Sequence, residues 1–178
     1  MNLFSHIIHG GHTMRPIVLF VVVWLVVVSI PSCYSFRGGS VPDHLKTISI
    51  ASVTDNSGFG DASLREYCTE TMLQRFRSDN TLQLVDNDGD ARLTPVIVRI
   101  QDRIANVQGD DLENQRRIVV AVEVEYVDAV KNRRVFKRTF ENFEAYDVDN
   151  ATEDRQRAAR AALDRIIDDI LLAVVSDW

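Results

Sequence analysis

The chain has 178 residues, 46% hydrophobic and 26% charged, a composition that fits about one globular domain with a core of its own. The first 32 residues carry one Arg and no acid, so the remaining 146 hold 19 basic against 26 acidic side chains, a net charge of −7. That surplus repels phosphate and argues against nucleic-acid binding. Only His44 of the four histidines lies beyond residue 12, which excludes His triads and multi-His metal sites.

Ile17 to Val28 is an unbroken apolar run, IVLFVVVWLVVV, with Arg15 before it and Ser29-Ile30-Pro31-Ser32 after it. Twelve residues reach about 18 Å as a helix, short of the ~30 Å hydrocarbon core, so the run reads as the apolar region of a signal peptide over residues 1–32. Met14 heads a tidier form of the same signal and is expected to be the true start. Ile30-Pro31-Ser32-Cys33 resembles the lipobox of bacterial lipoproteins, with Pro31 a departure from the usual residue. The resemblance implies cleavage before Cys33 and acylation of its thiol and new amine, and two or three acyl chains make a durable tether. Tyr34, in place of the Asp that holds enteric lipoproteins at the inner membrane, implies the outer membrane. With Cys33 acylated, Cys68 has no disulfide partner and reads as a small core residue.

Residues 33–46, with Gly38-Gly39 and Pro42, form the lipidated N-terminus and linker. From residue 47 the pattern predicts one α+β domain. Thr47 to Val53 alternates as a strand, ended by the turn Asp55-Asn56-Ser57-Gly58. Ser63 and Glu66 have capping-box spacing, ahead of a helical stripe of Leu64, Tyr67, Cys68, Met72 and Phe76. Short strands follow at Leu82 to Val85 and at Thr94 to Arg103, the latter with Val96, Val98 and Ile100 on one side. Ile118 to Val127 sets Val120, Val122, Val124 and Tyr126 against Glu123 and Glu125, and Arg134 to Glu144 pairs with it across a reversal at Lys131-Asn132. A final helix, with Asn150 and Glu153 at capping spacing, carries the stripe Ala159, Leu163, Ile166, Ile167, Ile170 and Val174. The expected architecture is a two-layer sandwich, two helices on one face of a four- or five-stranded, mostly antiparallel sheet.

Most candidate chemistry fails on spacing. Asp86-Asn87-Asp88-Gly89-Asp90 lacks the Gly and the distal acid of a calcium loop and reads as a turn. No phosphate-loop, nucleophile-elbow or zincin motif occurs, and carboxylate pairs such as Glu123 with Glu125 or Asp110 with Asp111 are unremarkable among 26 acids. No catalytic residue, metal or cofactor is therefore expected. One cluster stands out: Lys131, Arg133, Arg134, Lys137 and Arg138 crowd the hairpin, with Arg116 and Arg117 at the base of the preceding strand. It reads either as a solvated hairpin that blunts a sheet edge or as a site for an anionic group.

Cys33-Tyr34-Ser35-Phe36-Arg37-Gly38-Gly39, Pro42 and Leu45-Lys46-Thr47-Ile48-Ser49-Ile50 together resemble the start of the LptE family of lipopolysaccharide-assembly lipoproteins. The similarity continues through Asn56-Ser57-Gly58, Leu64-Arg65-Glu66, the strand from Asp79-Asn80 to Val85, and the end Ser176-Asp177-Trp178. Asp90-Ala91-Arg92-Leu93 followed by Thr94-Pro95 departs from the family pattern. The resemblance implies an LptE-like domain over residues 47–178. It also implies a non-enzymatic plug and assembly factor for the outer-membrane β-barrel that inserts lipopolysaccharide, lipid-anchored on the periplasmic face. Lipopolysaccharide itself is a second expected partner, with Arg133, Arg134 and Lys131 assigned to its phosphates from charge alone. The alternatives are an outer-membrane lipoprotein that activates or serves a secretion partner and, further off, an envelope-polymer hydrolase.

Overall fold

The computed structural model describes residues 41–104, 115–147 and 151–176. The leader over residues 1–32, Cys33, the linker to residue 40, Asp110, Asp111, Asn150, Asp177 and Trp178 lie outside the described residues. The elements are β1 (Thr47–Ile50), β2 (Thr54–Asp55), α1 (Ala62–Asp79), β3 (Gln83–Val85), β4 (Ala91–Ile104), β5 (Gln115–Asp128), β6 (Arg133–Asp147) and α2 (Ala151–Ser176).

The strands form one sheet in the order β3-β1-β4-β5-β6, with the two-residue β2 pairing to β4 off that path. The long pairings β4–β5 and β5–β6 are antiparallel, as expected. The short ones, β1 with β3, β1 with β4 and β2 with β4, are parallel, so the sheet is mixed. For β1 and β3 the cause is α1, a helix that returns the chain to the same end of the sheet; β4 is parallel to β1 because residues 86–90 carry the chain from the end of β3 back to the start of β1's other neighbour.

Both helices lie on one face of the sheet, side by side. Tyr67 Oη donates to Asp164 Oδ1 at 2.8 Å, Arg75 Nε lies 3.2 Å from Asp168, and Gln156 Nε2 donates to Ser63 Oγ at 2.9 Å. Beneath them a single core joins Leu64, Cys68, Met72 and Phe76 of α1 to Ala159, Leu163, Ile166, Ile167, Ile170 and Val174 of α2 and to Ile118, Val120, Val122, Val124 and Tyr126 of β5. The 3.6-residue and 2-residue periods in the sequence thus converge on one apolar layer. Cys68 is fully enclosed, and burial pushes its thiol up to about 12. It behaves as a small apolar side chain, not a nucleophile.

Two local expectations are corrected. The N-cap of α1 is Asp61, not Ser63: Asp61 has extended backbone (φ −100°, ψ 95°), and its carboxylate accepts from Ser63 N at 2.9 Å. Asp caps as well as Ser, and two residues further upstream it takes the free amide first. In β4, a bulge between Ile97 and Arg99 shifts the alternation. Ala91, Leu93 and Ile97 face the core and then Ile100 does, while Val96 and Val98 are half-buried. One extra residue moves every later side chain to the opposite face, so no single phase could have described this strand.

Residues 86–90 do form a turn, and it is an unusually tight one. It carries the chain from the end of β3 across β1 to the start of β4, with Asp88 at φ 52°. Gly89 lies directly on the β1 backbone: a Cβ there would stand 2.5 Å from Ser49 N and 2.8 Å from the Ile48 carbonyl carbon. The Asp90 carboxylate accepts from Lys46 N at 2.9 Å and Thr47 N at 3.0 Å, and Asp90 N donates to Thr47 Oγ1 at 2.9 Å.

Candidate functional site

The hairpin that joins β5 to β6 presents the candidate residues. Its reversal rests on Asn132, which takes φ 48°, a left-handed conformation that Asn tolerates. Its base rests on Asp128, which is fully buried and accepts from Lys131 N at 2.9 Å and contacts His44 Nε2 at 2.8 Å. Burial alone would push the Asp128 carboxyl up. The hydrogen bond from His44, the Lys131 amide and the charges of His44 and Lys131 outweigh that and hold it below the ordinary carboxylate range.

Lys131, Arg133 and Arg134 are exposed at this end of the sheet. Arg134 reaches Glu125 at 3.5 Å, a long and exposed pair that holds it weakly. Register adds a residue the sequence did not flag: Arg92 and Arg134 both sit opposite Val127, so they flank it on the face turned away from the helices. Only strand pairing could have revealed this, because 42 residues of chain separate the two arginines.

The rest of the sequence-level cluster is dispersed. Lys137 pairs with Glu123 at 2.9 Å, and the Arg138 guanidinium lies over the Phe136 and Phe140 rings at 5.1 and 4.6 Å. Arg116 and Arg117 lie at the opposite end of β5, about 35 Å from the hairpin at ~3.4 Å per residue. Arg116 bonds Asp102 at 2.9 Å, and Asp102 also accepts from Tyr146 Oη; that carboxylate raises the Arg116 pKa. Arg117 lies 5.5 Å from the centre of the Phe143 ring.

The open face of the sheet follows from the same registers. Glu123, Glu125, Lys137, Arg134, Arg99 and Glu141 form cross-strand ion pairs on it, Arg99 with Glu141 closing the row. Arg99 and Glu141 flank Ala121, and Gln101 and Phe143 flank Val119; Ala121 and Val119 are 0% and 5% exposed. The middle of the face is thus charged, with Phe143, 53% exposed, on the edge strand beside Val119. A cleft of about 280 Å³ lies elsewhere, where Glu144, Tyr146 and Asp147 of β6 meet Asp154 and Arg157 of α2. Among the described residues no group of three or more His, Cys, Asp or Glu is placed to hold a metal ion.

This is a two-layer α+β domain whose described surface offers charge and hydrogen bonds. Residues 45–174 match the LptE family, described as lipopolysaccharide-assembly, and the chain belongs to that family. It is thereby a lipopolysaccharide-assembly lipoprotein, of a family that is not enzymatic. No curated protein matches the sequence. Among solved structures, a protein from Xanthomonas campestris aligns with TM-score 0.57 at 12% identity, covering 78% of this chain and 91% of its own. A hypothetical protein from Chlamydia trachomatis aligns with TM-score 0.54 at 13% identity, covering 73% and 95%. The uncharacterized lipoprotein B of Nitrosomonas europaea gives 0.50 at 15% identity, covering 78% and 86%. At these identities they share the fold with this chain.

Proposed function

We propose that this protein, tethered through acylated Cys33 to the periplasmic face of the outer membrane, binds and plugs the β-barrel that inserts lipopolysaccharide, assisting the barrel's assembly and the lipid's passage to the surface. The observation that carries the proposal is the ion-paired open sheet face. A sheet face that carries Lys137–Glu123, Arg134–Glu125 and Arg99–Glu141 among the described residues suits a polar, water-filled lumen. Family membership supplies the process. Crosslinking in membranes followed by pull-down is expected to recover an outer-membrane barrel; a cell-wall synthase or a secretion ring in its place would overturn the reading in favour of an activator or secretion factor. The anchor has its own test. The mature product is expected to begin at Cys33 and to carry the mass of acyl chains, and C33A is expected to leave the membrane fraction.

In this reading Lys131, Arg133 and Arg134 meet the phosphates of lipid A at the exposed hairpin. Charge-assisted bonds to phosphate are worth about 1.5–3 kcal/mol each, so R133E/R134E is expected to weaken lipopolysaccharide binding by at least about tenfold. Because both side chains are exposed, the melting temperature should stay unchanged. Equal binding by the variant and the parent in a titration would remove these residues from the site.

A further inference from the structure

We propose that the outer edge of β6 is a homodimer interface, in which two copies of this chain pair their β6 strands antiparallel about Thr139. The inference does not rest on the barrel reading. β6 is 15 residues long and borders β5 on one side, and among the described residues no strand lies on the other. Which backbone groups face that edge follows from Phe143. Its N–H donates to Asn142 Oδ1 at 2.8 Å and its carbonyl accepts from Arg165 Nη1 at 3.0 Å, so neither is committed to β5. The register from Phe136 to Asp147 is unbroken. Alternation therefore turns the N–H and C=O groups of Glu141, Thr139 and Lys137 to the same edge. Asn142 and Arg165 close the edge at Phe143 and leave it open from Lys137 to Glu141.

The sequence of this open stretch is complementary to its own reverse. Antiparallel pairing centred on Thr139 sets Lys137 against Glu141 on the open face and Arg138 against Phe140 on the helix face, each twice by symmetry. Directly opposed residues share a face, so unlike charges meet in both copies. Centring one residue earlier would put Arg138 against its own copy. Charged edges ordinarily resist pairing, but here cations fill one half of the strand and acids the other, an arrangement that repels misaligned strands and admits this register.

The helix layer agrees. Near the end of β6, Glu144 to Asp147 border Asp154 to Ala161 of α2, and Arg165 reaches back to Asn142 and Phe143, so α2 runs antiparallel to β6. Leu172 lies two turns beyond Arg165 on the same stripe, about 10 Å further on, which brings it level with Thr139 and Phe140. It is 61% exposed. Pairing about Thr139 brings the two Leu172 side chains together at the two-fold axis.

Sedimentation velocity of the full chain in detergent, over a dilution series, tests this. The parent is expected to be a dimer that dissociates on dilution. T139P should be monomeric with an unchanged melting temperature, because the amide it removes points away from β5. K137E, which sets like charges opposite each other twice, should weaken the dimer about tenfold, at roughly 1 kcal/mol or less per opposed pair. K137E/E141K should restore it, although both intramolecular ion pairs of these residues remain disturbed. A parent that is monomeric at every concentration, a dimer indifferent to K137E, or a double variant no tighter than K137E overturns the proposal, and these outcomes hold even if T139P fails to fold.

Discussion

Replacing Gly89 with Ala is expected to destabilise the domain by about 3 kcal/mol, the upper end of the usual cost of overpacking. Three atoms within 2.8 Å of the new Cβ, Ser49 N, the Ala91 carbonyl oxygen and the Ile48 carbonyl carbon, all belong to backbone. None can swing aside as a side chain would. β1 is held between β3 and β4, so making room means breaking one of its ladders. Gly58 provides the comparison. It takes φ +73° with nothing within 4 Å of its Cβ position, so Gly58→Ala carries only the left-handed backbone cost of about 1–2 kcal/mol. Urea unfolding of both variants checks the pair; equal losses would mean that the crossing at Gly89 is not tight.

Acid is expected to unfold this protein from the seam where residues 44–47 meet β4 and β5. Two carboxylates hold the seam. Asp90 accepts from the amides of Lys46 and Thr47, which hold it below its ordinary range. Asp128 is also held low: burial opposes ionisation, and the His44 and Lys131 hydrogen bonds outweigh it. A carboxyl whose folded pKa is depressed contributes stability that is fully present above its unfolded value of about 3.9. That contribution is lost as pH falls through the lower, folded value. Stability should therefore be flat with respect to these two groups above about pH 5 and fall steeply below about pH 4. D128N keeps the shape and an acceptor for Lys131 N but loses the charge beside His44. It is expected to cost about 2 kcal/mol near neutral pH, from a weakened charge-assisted bond at a buried site, and to flatten the acid limb. Unfolding free energy measured from pH 3 to 7 on both proteins decides it, and an acid limb of equal slope in the two would assign the lability to other groups.

The candidate site was only partly legible. Lys131, Arg133 and Arg134 are neighbours in sequence and remain neighbours at the hairpin, because a reversal at Asn132 leaves them no choice. Arg116 and Arg117 looked like members of the cluster because they precede a basic strand pair, yet β5 is long enough to carry them to the other end of the sheet. Lys137 and Arg138 were drawn off by Glu123 and by the Phe136 and Phe140 rings. Arg92 joined from β4 through a pairing with Val127. Charge counted along a chain reports supply; which charges stay available is decided by cross-strand partners.

What the sequence determined by itself was everything with a local period. The stripe from Ala159 to Val174 could only be a helix with one buried side, and the alternation from Val120 to Tyr126 could only be a strand with one apolar face. The tertiary structure decided the rest: the parallel placement of β1, the phase change at the Ile97–Arg99 bulge, the passage of Gly89 over β1, and the cross-strand ion pairs of the open face. Each of these depends on contact between segments distant in the chain. Periodicity constrains which face of an element is apolar, but not which other element will cover it.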